Sequence, residues 1–275
     1  MTERTEPDVI WLEEEDCRDR RRAGGKGASL AAMAAVGLPV PRAFVIPAHV
    51  LPRAVDAERL RAHARARDHT SAQALVRAAE PPREAVTQAY ARIGGSVAVR
   101  SSACAEDSEH ASYAGQQDTF LHVEGSDEVC RRVVDCWASF FGQRALFYRE
   151  QKGSLDDLGM AVVVQRLIEA DKAGVVFTAD PVQRRRDRIV VEAVFGLGEQ
   201  VVSGEVTPDH YVVDRAGAIV REHLVNGGVL TTDELRQLVE MGRRLEEQFG
   251  CPQDIEWAIA QGQLFLLQSR PVTTL

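Results

Sequence analysis

Apolar positions recur along this chain with two periods, and they assign strands and helices to both of its halves. Residues 7–12 (PDVIWL) predict a short strand, and a charged turn, EEEDCRDRRRA, follows it. Ser29 to Met33 favours helix, which Gly37 and then Pro39 would stop. Residues 42–46 predict a strand. From Ala48 to about Arg92 the chain is rich in Ala, Arg and Glu, which predicts two or three amphipathic helices broken at Pro81-Pro82. Arg59, Arg61, Arg65 and Arg67 are expected on a solvated helix face. SVAVRSS and GQQDTFLHV read as strands. Residues 126–150 predict one long amphipathic helix, with Val129, Val133, Val134, Trp137, Phe140 and Phe141 on one side. Strands then dominate (MAVVVQRLI, AGVVFTAD, RIVVEAVF, DHYVVD, AIVREHLV) before a helix over 232–249 and two closing strands, DIEWAIA and LFLLQSR. Helices accompany sheets in both halves, so the expected class is α+β with two lobes, divided as 1–165 and 166–275.

Composition narrows the function classes. A net charge of -8 disfavours a general affinity for nucleic acid or for an anionic membrane. No apolar run approaches the ~20 residues of a membrane helix, and the polar, acidic start MTERTEPDV is no secretory signal. Cys17, Cys104, Cys130, Cys136 and Cys251 are scattered, odd in number and contain no C-x-x-C pair. That spacing argues against structural zinc and a disulfide framework, and a reducing cytoplasm is the expected location.

Three segments could carry chemistry. Gly24-Gly25-Lys26-Gly27-Ala28-Ser29 places glycines and a cation before a helix, an arrangement that suits a phosphate, although it lacks Walker A spacing. Its plain reading is a glycine-rich turn into a helix. In Val97-Ala98-Val99-Arg100-Ser101-Ser102, an arginine followed by two hydroxyls can hold an anion. Its plain reading is a strand-edge arginine paired with Glu106 or Asp107. Tyr113 to Thr119 could form a flap over phosphates, or simply a hairpin turn. Gly196-Leu197-Gly198-Glu199 and Asp180-Pro181 read as scaffold, Arg184-Arg185-Arg186 as an exposed loop, and the seven histidines as surface or packing residues.

Taken together, in this order, the three segments resemble the N-terminal ATP-binding domain of the phosphoenolpyruvate synthase, pyruvate phosphate dikinase and rifampin phosphotransferase family. GGKGASL and SSACAEDSEHASYAGQQDTFL are most similar to the rifampin phosphotransferase branch. The match continues through VVVQRLI, AGVVFTADPV, EAVFGLGEQVVSGEVTPD and DIEWAIAQGQLFLLQSRPVTTL, and is weakest over residues 50–92. The resemblance implies an ATP-grasp-like fold with the nucleotide in the cleft between two lobes. It implies that Lys26 and Arg100 contact ATP phosphates and that Gly115, Gln116, Gln117, Asp118 and Thr119 cover them. Gln165 and Leu167 would lie near the adenine, Leu167 through its backbone. Asp254, Glu256, Gln268 and Arg270 match the family's catalytic cluster, with Glu256 and Gln268 holding Mg²⁺ and Arg270 gripping the transferring phosphates.

That cluster carries a geometric condition. Strand alternation puts Asp254 and Glu256 on one face, and Gln268 and Arg270 on one face of the next strand. For the two faces to coincide, a simple hairpin needs an odd loop such as Gln261-Gly262-Gln263, or a bulge with the same effect. A plain two-residue Gln261-Gly262 loop would put them on opposite faces.

The family's Thr-x-x-Gly-Gly stretch with a nearby phosphorylated histidine does not occur in this sequence. The expectation is therefore a module that cleaves Mg-ATP to AMP and phosphate and passes a phosphoryl group to a histidine-bearing partner protein in trans. The alternatives are a stand-alone kinase or ATP-grasp ligase acting on a small molecule, and a nucleotide-binding regulatory subunit without turnover.

Overall fold

The computed structural model describes residues 6–104, 118–197, 206–273 and 275. They fall into two compact units. The first is drawn from the chain up to Leu167, the second from Ile168–Leu275 together with Val36–Pro41. The class is α+β.

The first unit contains β1 (Ile10–Trp11), α1 (Arg20–Ala35), β2 (Ala43–Ile46), α2 (Val50–Ala54), α3 (Ala57–Arg65), α4 (His69–Arg77), α5 (Arg83–Ile93), β3 (Val97–Ser102), β4 (Thr119–Val123), α6 (Ser126–Ser139), α7 (Gln143–Gln151) and β5 (Ala161–Arg166). Its antiparallel sheet has the order β1-β2-β5-β3-β4. One face, with Phe44, Ile46, Val97, Val99, Val162 and Val164, packs into a core with residues of α3 to α6. The alternate positions, including Val45, Val163, Arg100 and Gln165, occupy the opposite face, where α1 lies against Val45 and Val163 at Gly27.

Two helical expectations need correction. The stretch from Ala48 to Arg92 holds four helices, because the Asp56 and Asp68 side chains each accept an amide hydrogen bond and start a new one. The helix expected over 126–150 breaks after Ser139 and restarts at Gln143. The break lets Phe140 and Phe141 both turn inward, with ring centroids 5.4 Å apart. The buried Arg149 guanidinium then stacks on Phe140 and donates to the Phe140, Ser154 and Asp157 carbonyls.

The second unit contains β6 (Lys172–Phe177), β7 (Arg188–Phe195), β8 (Asp209–Asp214), β9 (Ile219–His223), α8 (Thr232–Phe249), β10 (Gln253–Ala260) and β11 (Gln263–Pro271). Its antiparallel sheet has the order β11-β10-β6-β7-β8-β9. Helix α8 starts in a capping box between Thr231 and Glu234 and ends at the left-handed Gly250. Gly242 of α8 lies against Val176, Thr178 and Ile255, so the helix covers the face that also carries Trp257. Close packing demands Gly174: a Cβ there would sit 1.9 Å from the Glu192 carbonyl oxygen.

Asp209, fully buried, organises the turn before α8. Its carboxylate accepts the amides of Asn226 (2.6 Å), Gly228 (2.9 Å) and Val229 (2.8 Å). Burial pushes its pKa up, but these backbone donors more than reverse that and leave it below the usual carboxylate value. A lowered folded-state pKa stabilises the fold above the unfolded carboxylate range, and that contribution drains as pH falls through the folded value. Asp209→Asn should therefore cost about 2–3 kcal/mol near neutral pH. Urea unfolding at several pH values should show the wild-type advantage shrinking as the pH falls below the ordinary carboxylate range. A pH-independent gap would mean that the carboxylate charge is not what holds the turn.

Candidate functional site

In the first unit the glycine motif lies inside α1. The helix kinks at Gly24, whose backbone (φ 70°, ψ 179°) is one that side-chain-bearing residues avoid. A Cβ on Gly24 would lie 2.0 Å from the Ser102 carbonyl oxygen. The glycines thus serve differently from the sequence expectation. The Gly25 amide donates to the Ala103 carbonyl (2.9 Å) and the Gly27 amide to Ser102 Oγ (3.1 Å), so these donors fasten α1 to the end of β3. Ser102 Oγ in turn donates to the Ala23 carbonyl at 2.8 Å. The close approach delivers Lys26, whose ammonium donates to the Ser101 carbonyl at 3.0 Å.

Arg100 sits mid-strand on the face that α1 covers, directly across from Val163 on one side and Thr119 on the other. Its guanidinium donates to Gln165 Oε1 at 3.3 Å. Lys26, Arg100 and Gln165 are only 7%, 9% and 3% exposed. The Asp118 carbonyl accepts from the Ser101 amide at 3.2 Å, tying the start of β4 to β3. Gly115, Gln116 and Gln117 lie outside the described residues, as do Glu106 and Asp107. The Leu167 amide donates to the Ser96 carbonyl at 3.0 Å, so that donor is already engaged.

In the second unit the closing hairpin meets its geometric condition through a bulge. The loop is the two-residue Gln261-Gly262, both at positive φ (50° and 74°), and alone it sets Ala260 against Gln263 and Trp257 against Leu266. The register shifts at Glu256/Trp257, where Leu267 is the extra residue of β11. Beyond the bulge Glu256 stands opposite Gln268 and Asp254 opposite Arg270. Arg270 Nε donates to Asp254 Oδ2 at 2.8 Å, which aims the guanidinium along the face that carries Glu256. A carboxylate and an amide side by side form a hard oxygen pair, suited to Mg²⁺ that also binds phosphate and water. Among the described residues no cluster of three His, Cys, Asp or Glu side chains could hold a metal by itself.

Elsewhere, Gly198 and Glu199 lie outside the described residues, while Asp180-Pro181 and Arg184 to Arg186 take the turn and exposed loop expected of them. Asp180 Oδ1 accepts the amides of Val182 and Gln183 in a turn, and Arg184–Arg186 are exposed. Two buried polar residues gave no sequence signal. Arg149 sits in an ordinary helical string, and the partners of Asp209 lie 17 to 20 positions away. None of the described helices is long and apolar enough to cross a membrane.

A family model described as the pyruvate phosphate dikinase AMP/ATP-binding domain matches residues 20–227 and 217–275. The chain belongs to that family. It is 38% identical to a probable phosphoenolpyruvate synthase of Methanocaldococcus jannaschii, over 97% of this chain and 27% of that protein. It is 39% identical to a rifampicin phosphotransferase of a Streptomyces species, over 97% of this chain and 36% of that protein. The chain thus spans about a quarter to a third of the length of these two relatives. Among solved structures, D-alanyl-alanine synthetase A of Vibrio cholerae aligns with 91% of this chain and 60% of its own, at a TM-score of 0.41 and 12% identity.

The kink predicts an uneven response to two similar substitutions. Gly24→Ala meets both strained backbone and the Ser102 carbonyl, and should cost more than about 3 kcal/mol. Gly37→Ala, also at positive φ but with open space around it, should cost about 1 kcal/mol. Denaturant unfolding of the two variants checks the difference, and equal losses would refute the close-approach account of Gly24.

Proposed function

We propose that the chain binds Mg-ATP in an ATP-grasp-like manner and catalyses dikinase-type phosphoryl transfer, passing the β-phosphate to a histidine on a separate protein and leaving AMP and phosphate. The observation that carries this reading is the register of the closing hairpin, which gives one face both an oxygen-donor pair and an oriented guanidinium. Family membership supports the same chemistry.

Each group then has a physical task. Lys26 and Arg100 neutralise phosphate oxygens, and Gly115 to Thr119 cover them. Gln165 and Leu167 contact the adenine, Leu167 through its carbonyl because its amide is engaged with Ser96. Glu256 and Gln268 would hold Mg²⁺, which when bound draws charge off the phosphates. Arg270, steadied by Asp254, faces the phosphoryl group in transit. In-line phosphoryl transfer asks for little beyond such positioning and charge neutralisation.

The test is nucleotide analysis with purified chain, Mg²⁺, ATP and a candidate histidine-domain protein. AMP and phosphate are expected, with label from [β-³²P]ATP on the partner. ADP as the sole nucleotide product would replace this reading with direct kinase chemistry, and tight binding without turnover would replace it with a regulatory role. Glu256→Gln should reduce AMP formation by about 100-fold or more while the far-ultraviolet circular dichroism stays unchanged.

A further inference from the structure

The sheet of the second unit carries a second group of side chains on the face that bears Glu256. Register pairs run without a break from Gln268 to Glu256, Val175, Glu192, His210 and His223, one residue per strand from β11 to β9. Neighbours in such a row share a face, and adjacent strands lie about 4.8 Å apart. Glu192 therefore stands roughly 10 Å from Glu256, with His210 one strand farther on.

Glu192 and His210 also line a cavity of about 510 Å³, together with Thr207, Arg221, Glu222 and His223. Within it His210 Nδ1 lies 3.5 Å from Glu192 Oε1. A carboxylate at Nδ1 selects the tautomer protonated there and leaves the lone pair on Nε2. Among the described residues, the other charged or titratable groups lining the cavity are Arg221, Glu222 and His223, all from β9.

We infer that His210, oriented by Glu192, is the general base that accepts the proton of the phosphoryl acceptor, which binds in this cavity as an imidazole or a hydroxyl compound. The inference rests on the phosphotransfer reading above. In the step, the acceptor nitrogen or oxygen forms a bond to phosphorus. The bond from the β-phosphorus to the oxygen it shares with the α-phosphorus breaks, AMP leaves with that electron pair, and water then cleaves the β–γ bond to release phosphate. The proton released by the acceptor moves to His210 Nε2. His210 is then a catalytic residue and Glu192 a positioning one.

Free imidazole serves as the probe acceptor. Imidazole-dependent AMP formation in His210→Gln should fall about 100-fold and lose the acid limb of its pH profile, with the ATP dissociation constant within about twofold of wild type. Glu192→Gln should lower kcat without raising KM for ATP. His69→Gln, at the start of α4 in the first unit, should retain turnover. Equal loss in His69→Gln, or turnover retained in His210→Gln, overturns the inference. A second readout needs no turnover: ¹⁵N spectra should show His210 protonated at Nδ1, a preference lost in Glu192→Gln, with signals that shift on adding imidazole. The opposite tautomer, or no imidazole shift, also overturns it. Absence of calorimetric ATP binding would instead sink the phosphotransfer reading, so the two failures are distinguishable.

Discussion

Alternation along a strand leaves no intermediate settings, so one residue of register decides whether Glu256 and Gln268 share a face. The two-residue turn at Gln261-Gly262 sets the wrong parity, and the bulge at Leu267 restores it. From that correction follow the alignment of Asp254 with Arg270 and a common face for all four side chains. The hairpin does not stand alone. β10 pairs on its other edge with β6, and Gly174 allows Trp257 and the Glu192 backbone to approach closely behind it. The apolar face packed against α8 fixes the strand, and the polar face inherits its orientation.

The cations of the first unit obey an equivalent constraint of close approach. Gly24 gives up its side chain so that α1 can meet the end of β3, and hydrogen bonds between the two segments hold the contact. Lys26 and Arg100 are thereby kept largely from water on surroundings of carbonyl and amide oxygen. The carbonyl and amide oxygens hold both cations at fixed positions.

Much of this was legible in the sequence because it rests on local periodicity. The strands from Ala161 onward, the helix over 232–249 and the α+β class all follow from apolar spacing and stop signals. The condition on the hairpin was also legible, though its solution was not: an odd loop and a bulge satisfy the same parity, and only the paired positions show that Leu267 supplies the extra residue. What stayed hidden depends on contacts distant in sequence. The break after Ser139 is set by burial of both Phe140 and Phe141, and a helical periodicity runs straight through it. The glycines of the Lys26 segment looked like a phosphate cradle, yet two of their amides serve β3, more than 70 positions away. His210 looked like one dispersed histidine among seven until the sheet register placed it beside Glu192.

The proposed function assigns Lys26 to ATP phosphates and Glu256 to Mg²⁺. Isothermal titration of ATP into wild type, Lys26→Met, Glu256→Gln and the double variant, each with and without Mg²⁺, tests it most directly. The account predicts ATP binding weakened by about tenfold or more in each single variant, with the Mg²⁺ dependence of affinity abolished only where Glu256 is changed. ATP binding that is indifferent to either substitution, or a Mg²⁺ effect that survives Glu256→Gln, would contradict it.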